Sequence, residues 1–273
     1  MITKISMFIF GSCLGSFLNV CIHRLPQEKS IITPGSFCPQ CKTPVKWHDN
    51  IPLISYLLLA GRCRSCQKKI PLRYFLVEFI SGAFFLALYL NLGFGLELLK
   101  YIFLFALLVV VSFIDIDYHA IPVQLCFLGI VAGLLVSLWP TLQLLKTGVF
   151  DLEALPLYAA FKGLLFGFGF TYLFKFFGDI FIDLYLKLRR KESIEGERES
   201  LGLGDVDFMG MIGVFLGIKA VVLVFFIAPF IALFYSIFAL IFKRSHLIPY
   251  LPYLSLATVV VFFWENRIVS FIF

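Results

Sequence analysis

Asp115 and Asp205 stand where an apolar chain rarely carries charge: Asp115 near the end of the run LLVVVSFIDID, Asp205 directly after the glycine-rich LGLG. Ionisable residues at membrane depth are functional candidates by default. Two carboxyl groups brought together in a low-dielectric site cannot both stay ionised, so one keeps a proton while the other acts as a base. That is the chemistry of an aspartyl protease, in which a water between the two acids is the nucleophile. A second chemical cluster is Cys38-Pro-Gln-Cys41 with Cys63-Arg-Ser-Cys66, two Cys-x-x-Cys knuckles separated by twenty-one residues. Their spacing suits a tetrahedral zinc site with four thiolate ligands.

The elements that must position these groups follow from composition. The 273 residues are 60% hydrophobic and 15% charged, with a mean hydropathy of +0.96. Soluble domains hold roughly 45 to 50% apolar residues, so this is an all-α polytopic membrane protein. Apolar runs read as about eight spans, near 5–22, 74–94, 98–114, 121–139, 157–174, 206–217, 221–242 and 247–264. The run 206–217 is too short to cross about 30 Å of hydrocarbon and reads as re-entrant. The chain therefore divides into a first transmembrane helix (1–22), a polar insert (23–73) and a membrane core (74–273). No internal repeat is evident.

Basic residues set the orientation. The insert carries Arg24, Lys29, Lys42, Lys46, Arg62, Arg64, Lys68, Lys69 and Arg73 against Glu28 and Asp49. Lys187, Arg189, Arg190, Lys191 and Arg198 fill a second loop, and Lys243 and Arg244 a third. Alternation of the spans puts all three on one side, the cytoplasmic side by the positive-inside rule. The third span then ends at Asp115 and the sixth starts at Asp205, both at that face. The net charge of +6 is explained by this orientation, and no nucleic-acid role is expected.

In a reducing cytosol the four insert cysteines favour metal over disulfides, and four thiolates leave no open coordination position, so the zinc would be structural. Cys13, Cys21 and Cys126 lie in or beside spans and read as packing residues. Lys175, Asp179 and Asp183 repeat at four-residue spacing, which suggests that the fifth helix continues beyond the bilayer with ion-paired flanks. The glycines at 163, 167 and 169, and at 210, 213 and 217, read as helix-packing surfaces.

Taken in order, several stretches resemble the bacterial type IV prepilin peptidase family. They are Gly15-Ser16-Phe17-Leu18-Asn19-Val20 with His23-Arg24-Leu25-Pro26, the paired knuckles, Trp47 and Asn50-Ile51-Pro52-Leu53, and Glu78. Phe113-Ile114-Asp115-Ile116-Asp117 leading to Pro122 and Gly202-Leu203-Gly204-Asp205 complete the series. The resemblance implies catalytic acids at Asp115 and Asp205, Asp115 being chosen over Asp117 by its seven-residue distance to the proline. It implies prepilin or type II secretion pseudopilin substrates in the bilayer of the bacterial inner membrane, cleaved after a short basic leader at the cytoplasmic face. It further implies N-methylation of the new terminus with S-adenosylmethionine as methyl donor, at a site no motif discloses, with the insert the expected contributor and Glu78 a candidate. The chain departs from the family at Asp207, where lysine is usual, and at Val123, where an acid or amide is common.

Competing classes make distinct demands. No His-Glu-x-x-His or Gly-x-Ser-x-Gly pattern supports a zinc or serine protease. His119 reads as a loop histidine near the headgroups. A proton channel would spread acids across membrane depth. A zinc-stabilised scaffold would tolerate Asp→Asn at either acid.

Overall fold

A computed structural model describes residues 2–119, 122–148, 150–189, 199–241 and 249–272. The described residues form eight α-helices with short 3₁₀ turns: α1 (Ile2–Arg24), α2 (Ile54–Leu58), α3 (Leu72–Leu92), α4 (Leu96–Tyr118), α5 (Val123–Lys146), α6 (Pro156–Arg189), α7 (Leu203–Ile241) and α8 (Leu251–Ile272). All but α2 are long and apolar enough to cross a membrane, which makes seven candidate spans and a multi-pass membrane protein. The chain divides into two compact units, Met1–Tyr118 and His119–Phe273.

In the first unit, α1 and α3 run antiparallel and in close contact. A Cβ on Gly15 would lie 2.7 Å from the Glu78 Cα, and one on Gly11 2.7 Å from the Ser81 carbonyl oxygen. Without a hydrophobic force between helices in lipid, such small-residue contacts provide the packing. Farther along, Asn19 Nδ2 donates to the Tyr74 carbonyl at 3.0 Å. α4 returns antiparallel to α3, with Phe84 and Phe105 rings 4.9 Å apart at mid-helix and Arg73 ion-paired to Asp117 at the insert end.

The second unit explains why seven helices stand where about eight spans are expected. The predicted run 206–217 and the described part of 221–242 follow each other directly in α7, with a break at Gly217 (φ 81°, ψ −175°). That backbone conformation is essentially restricted to glycine. The break is a reversal of direction. Before it, Gly167 abuts Met209 and Gly163 abuts Gly213 and Gly217, so this arm runs antiparallel to α6. After it, Phe225 lies 5.1 Å from Phe170 and 4.7 Å from Phe174, so the second arm runs back alongside α6. A straight helix would instead have carried Phe225 about 12 Å beyond Gly217 in the opposite direction. We call the arms α7a (203–216) and α7b (218–241). At 1.5 Å per residue, α7a is about 21 Å long, less than the roughly 30 Å hydrocarbon core.

Candidate active site and metal centre

The insert holds the four cysteines in two copies of one local design. In the first knuckle, Cys38 N–H bonds the Thr43 carbonyl, Lys42 N–H bonds the Cys38 carbonyl, and Phe37 bridges to Pro44. In the second, Cys63 N–H bonds the Lys68 carbonyl, Gln67 N–H bonds the Cys63 carbonyl, and Arg62 bridges to Lys69. Lys42 and Gln67 both take φ of 57°. Every element recurs twenty-five positions on, a structural repeat that the residue identities conceal beyond the cysteines themselves.

The two knuckles bring all four Sγ atoms within 4.8 Å of one another. Cys38 and Cys66 are 3.8 Å apart, and Cys41 and Cys63 are 4.0 Å apart. A tetrahedron with zinc–sulfur bonds of about 2.3 Å has sulfur–sulfur edges of about 3.8 Å, whereas a disulfide requires about 2.05 Å. The donor set therefore fits a closed four-thiolate metal site. The Thr43 hydroxyl and backbone beside Cys41 hold its thiol down at about 6, favouring the thiolate that a metal requires.

Asp115 lies in the last turn of α4 and is 6% exposed, continuing a face that buries Leu107, Leu108, Val111 and Ile114. Asp117, two residues on, projects to a different side and pairs with Arg73 at the start of α3. The two neighbouring acids thus have different surroundings, and Arg73 is committed to Asp117 rather than to Glu78. Glu78 instead accepts a hydrogen bond from Leu53 N–H at 2.8 Å, with Ser16 as a further partner. Leu53 has φ of 62°, so this carboxylate holds a strained backbone turn at the start of α2.

Asp205 occupies the third position of α7, is likewise 6% exposed, and accepts from Gly202 N–H through Oδ2 at 3.1 Å. An acid at this position reaching back to the residue before the helix is half of a capping box, and a carboxylate there also suits the helix dipole. Asp205 lies within electrostatic reach of Cys126 on α5 and of Tyr250 just before α8. Burial and the Asp205 charge push the Tyr250 phenol up to about 12. Asp207 is half-buried one position beyond Val206.

The segment before Asp205 is stapled to α6 residue by residue, which sequence reasoning missed. Lys175, 7% exposed, places Nζ 2.6 Å from Glu199 Oε2 and 3.0 Å from Asp179 Oδ2, and donates to the Leu201 carbonyl at 2.8 Å. Ser200 N–H donates to Asp179 Oδ1 at 2.7 Å, and its hydroxyl lies 2.8 Å from the same oxygen. A Cβ on Gly178 would fall 2.6 Å from Ser200, so only glycine permits this approach. The expected Lys175–Asp179 pair is present; Asp183 is exposed. Of the glycines expected to pack helices, those at 163, 167, 210 and 213 do so, Gly169 meets nothing within 4 Å and Gly217 makes the reversal. His119 is an exposed residue with φ of 48° after α4.

The described chain is thus a multi-pass helical membrane protein with four clustered cysteines that could hold a metal ion, and with a buried acid at the end of α4 and at the start of α7. Residues 9–92 match the family model described as Bacterial Peptidase A24 N-terminal domain, and residues 102–237 match that described as Type IV leader peptidase family. A prepilin leader peptidase/N-methyltransferase of Aeromonas hydrophila is 30% identical over 96% of this chain and 91% of its own length. One of Klebsiella pneumoniae is 33% identical over 78% of this chain and 85% of its own. One of Myxococcus xanthus is 35% identical over 78% of this chain, which spans 56% of that longer protein. No solved structure matches. The chain belongs to the type IV leader peptidase family.

Proposed function

We propose that this protein is a membrane aspartyl endopeptidase that removes the short basic leader from type IV prepilins or type II secretion pseudopilins and N-methylates the residue so exposed. The observation that carries this reading is the similarity to the Aeromonas hydrophila enzyme along nearly the whole of both chains. Asp115 and Asp205 are the catalytic pair. One carboxylate takes a proton from water as the water attacks the scissile carbonyl, and the protonated partner donates a hydrogen bond to the carbonyl oxygen. Collapse of the tetrahedral intermediate returns a proton to the leaving amine and regenerates the pair. Gly202 and Gly204 give an extended substrate close access to the backbone beside Asp205.

The site faces the cytoplasm of the inner membrane, the side on which the basic loops would lie. Cys38, Cys41, Cys63 and Cys66 hold a structural zinc ion that closes the insert and takes no part in hydrolysis. For the methyl donor, S-adenosylmethionine, the first unit offers a cavity of about 370 Å³ lined by Ser16, Phe17, Arg24, Gly35, Ser36 and Asn50. That size falls in the range of small-molecule sites, and buried Arg24 supplies a cation for a carboxylate-bearing ligand. The donor supplies the methyl group, and the cavity residues bind and orient it.

The test is leader cleavage of a co-expressed prepilin by wild type, Asp115→Asn, Asp205→Asn and Asp117→Asn, with membrane insertion verified for each. The expected outcome is cleavage lost in the first two and kept in the third. Cleavage that survives both substitutions overturns the aspartyl mechanism.

A further inference from the structure

The insert carries an apolar surface that neither the metal centre nor the proposed chemistry uses. On α2, Ser55 is buried and Tyr56 turns inward, its ring 5.4 Å from Phe75 and its hydroxyl donating to the Ile70 carbonyl. Ile54, Leu57 and Leu58 point outward and are 55%, 66% and 81% exposed. The adjoining 3₁₀ turn, Trp47–Asn50, is joined to α2 by the Ser55 hydroxyl, which donates to the His48 carbonyl, and it presents Trp47 82% exposed.

The depth of this surface is fixed by α3 and α1. Leu53 N–H is held by Glu78, six residues into α3, so α2 begins about 9 Å along that helix from its first residue. α3 has 21 residues, about 32 Å, which is the thickness of a hydrocarbon core and little more. On α1, Asn50 and Pro52 line a cavity together with Ser16, Phe17 and Val20, again well inside that helix's end at Arg24. Two candidate spanning helices thus hold the same turn of the insert well short of their own insert-side ends. An exposed Trp beside Leu and Ile at that depth is the composition of an interfacial membrane anchor. The nine basic residues between Arg24 and Arg73, against Glu28 and Asp49, add attraction for anionic headgroups.

We infer that the insert is docked on the membrane surface, with Trp47, Ile54, Leu57 and Leu58 seated in the headgroup–acyl boundary of an anionic leaflet. The inference is independent of the catalytic assignment. The metal knuckles are then held at a fixed height against lipid instead of swinging free in the aqueous phase.

The chain has three tryptophans, so Trp139→Phe with Trp264→Phe leaves Trp47 as the sole reporter. The full-length protein is reconstituted in nanodiscs of phosphatidylethanolamine and phosphatidylglycerol. The expected result is blue-shifted emission, largely lost when lipids brominated high on the acyl chain replace the unlabelled ones and insensitive to aqueous iodide. Adding Leu57→Glu and Leu58→Glu shifts the emission to the red and opens it to iodide, while zinc content stays unchanged. A second reporter, Leu58→Trp in a background that also carries Trp47→Phe, is expected to show the same lipid quenching. Emission quenched by iodide and not by brominated lipid overturns the inference. So does protection from both quenchers, which would mean that protein covers the surface.

Discussion

Gly163 and Gly213 face each other so closely that a Cβ on either would stand 2.0 Å from the carbonyl oxygen of the other. This contact joins α6 to α7a, the arm that begins with Asp205. Gly163→Ala is therefore expected to push the helices apart, at the roughly 1–3 kcal/mol typical of an overpacked contact. Thermal unfolding in detergent measures the loss. Gly169→Ala, which meets open space, is the matched control and should leave the midpoint in place.

The staple between α6 and the segment 199–202 predicts an effect on turnover at a distance from the chemistry. Lys175→Met removes the donor to the Leu201 carbonyl and leaves Asp179 and Glu199 facing each other. Cleavage is expected to fall tenfold or more through kcat, since small misplacements of a catalytic group are costly. Lys175→Arg should recover part of it. Ser200→Ala loses hydrogen bonds contributing about 1 kcal/mol each and should fall between.

Asp117 and Arg73 form a partly exposed ion pair, with side chains 28% and 22% accessible. Such pairs are worth about 1 kcal/mol or less. Asp117→Asn and Arg73→Gln should each lower the unfolding midpoint slightly, and the double variant should lose less than the sum. Cleavage should persist in all three.

Tyr250 reports the charge on Asp205. Its folded-state value, pushed up to about 12, exceeds the ordinary value of 10, so its contribution to stability is full below pH 10 and is lost as pH rises toward 12. Asp205→Asn removes one of the two causes and should bring the phenol ionisation down toward 10. A fluorotyrosine label at position 250, followed by NMR, reads the shift.

Elemental analysis of the purified chain should find one zinc per molecule. Cys38→Ser or strong chelation should unravel the knuckles over residues 36–70 while the helical signal of the spans remains, because a structural four-thiolate site supplies the folding energy that a small insert lacks.

The knuckles were legible because metal spacing is local: four cysteines in two tight turns leave little choice of geometry. The spans were legible from hydropathy, and so was the shortness of 206–217. What the hydropathy could not show was that 206–217 and its successor join at a single glycine without a loop, since Gly217 looks like its packing neighbours at 210 and 213. The partners of the acids were also hidden. Arg73 lies five residues from Glu78 and forty-four from Asp117, yet only the return of α4 along α3 brings the correct acid to it. The spacing of Lys175 and Asp179 showed their pair, but nothing marked Glu199, Ser200 and Leu201 as their further partners, and Leu53 gave no sign of a strained turn that needs a carboxylate.

The hairpin at Gly217 acts as a ruler. Because α7a stops short of a full crossing and is locked to α6 by glycine contacts, the height of Asp205 is measured against protein rather than against lipid. Thickening or thinning the bilayer would tilt the full-length helices without changing the register of Asp205 along α6. Membranes of different acyl-chain length would thus meet this acid at a position that the protein itself has set.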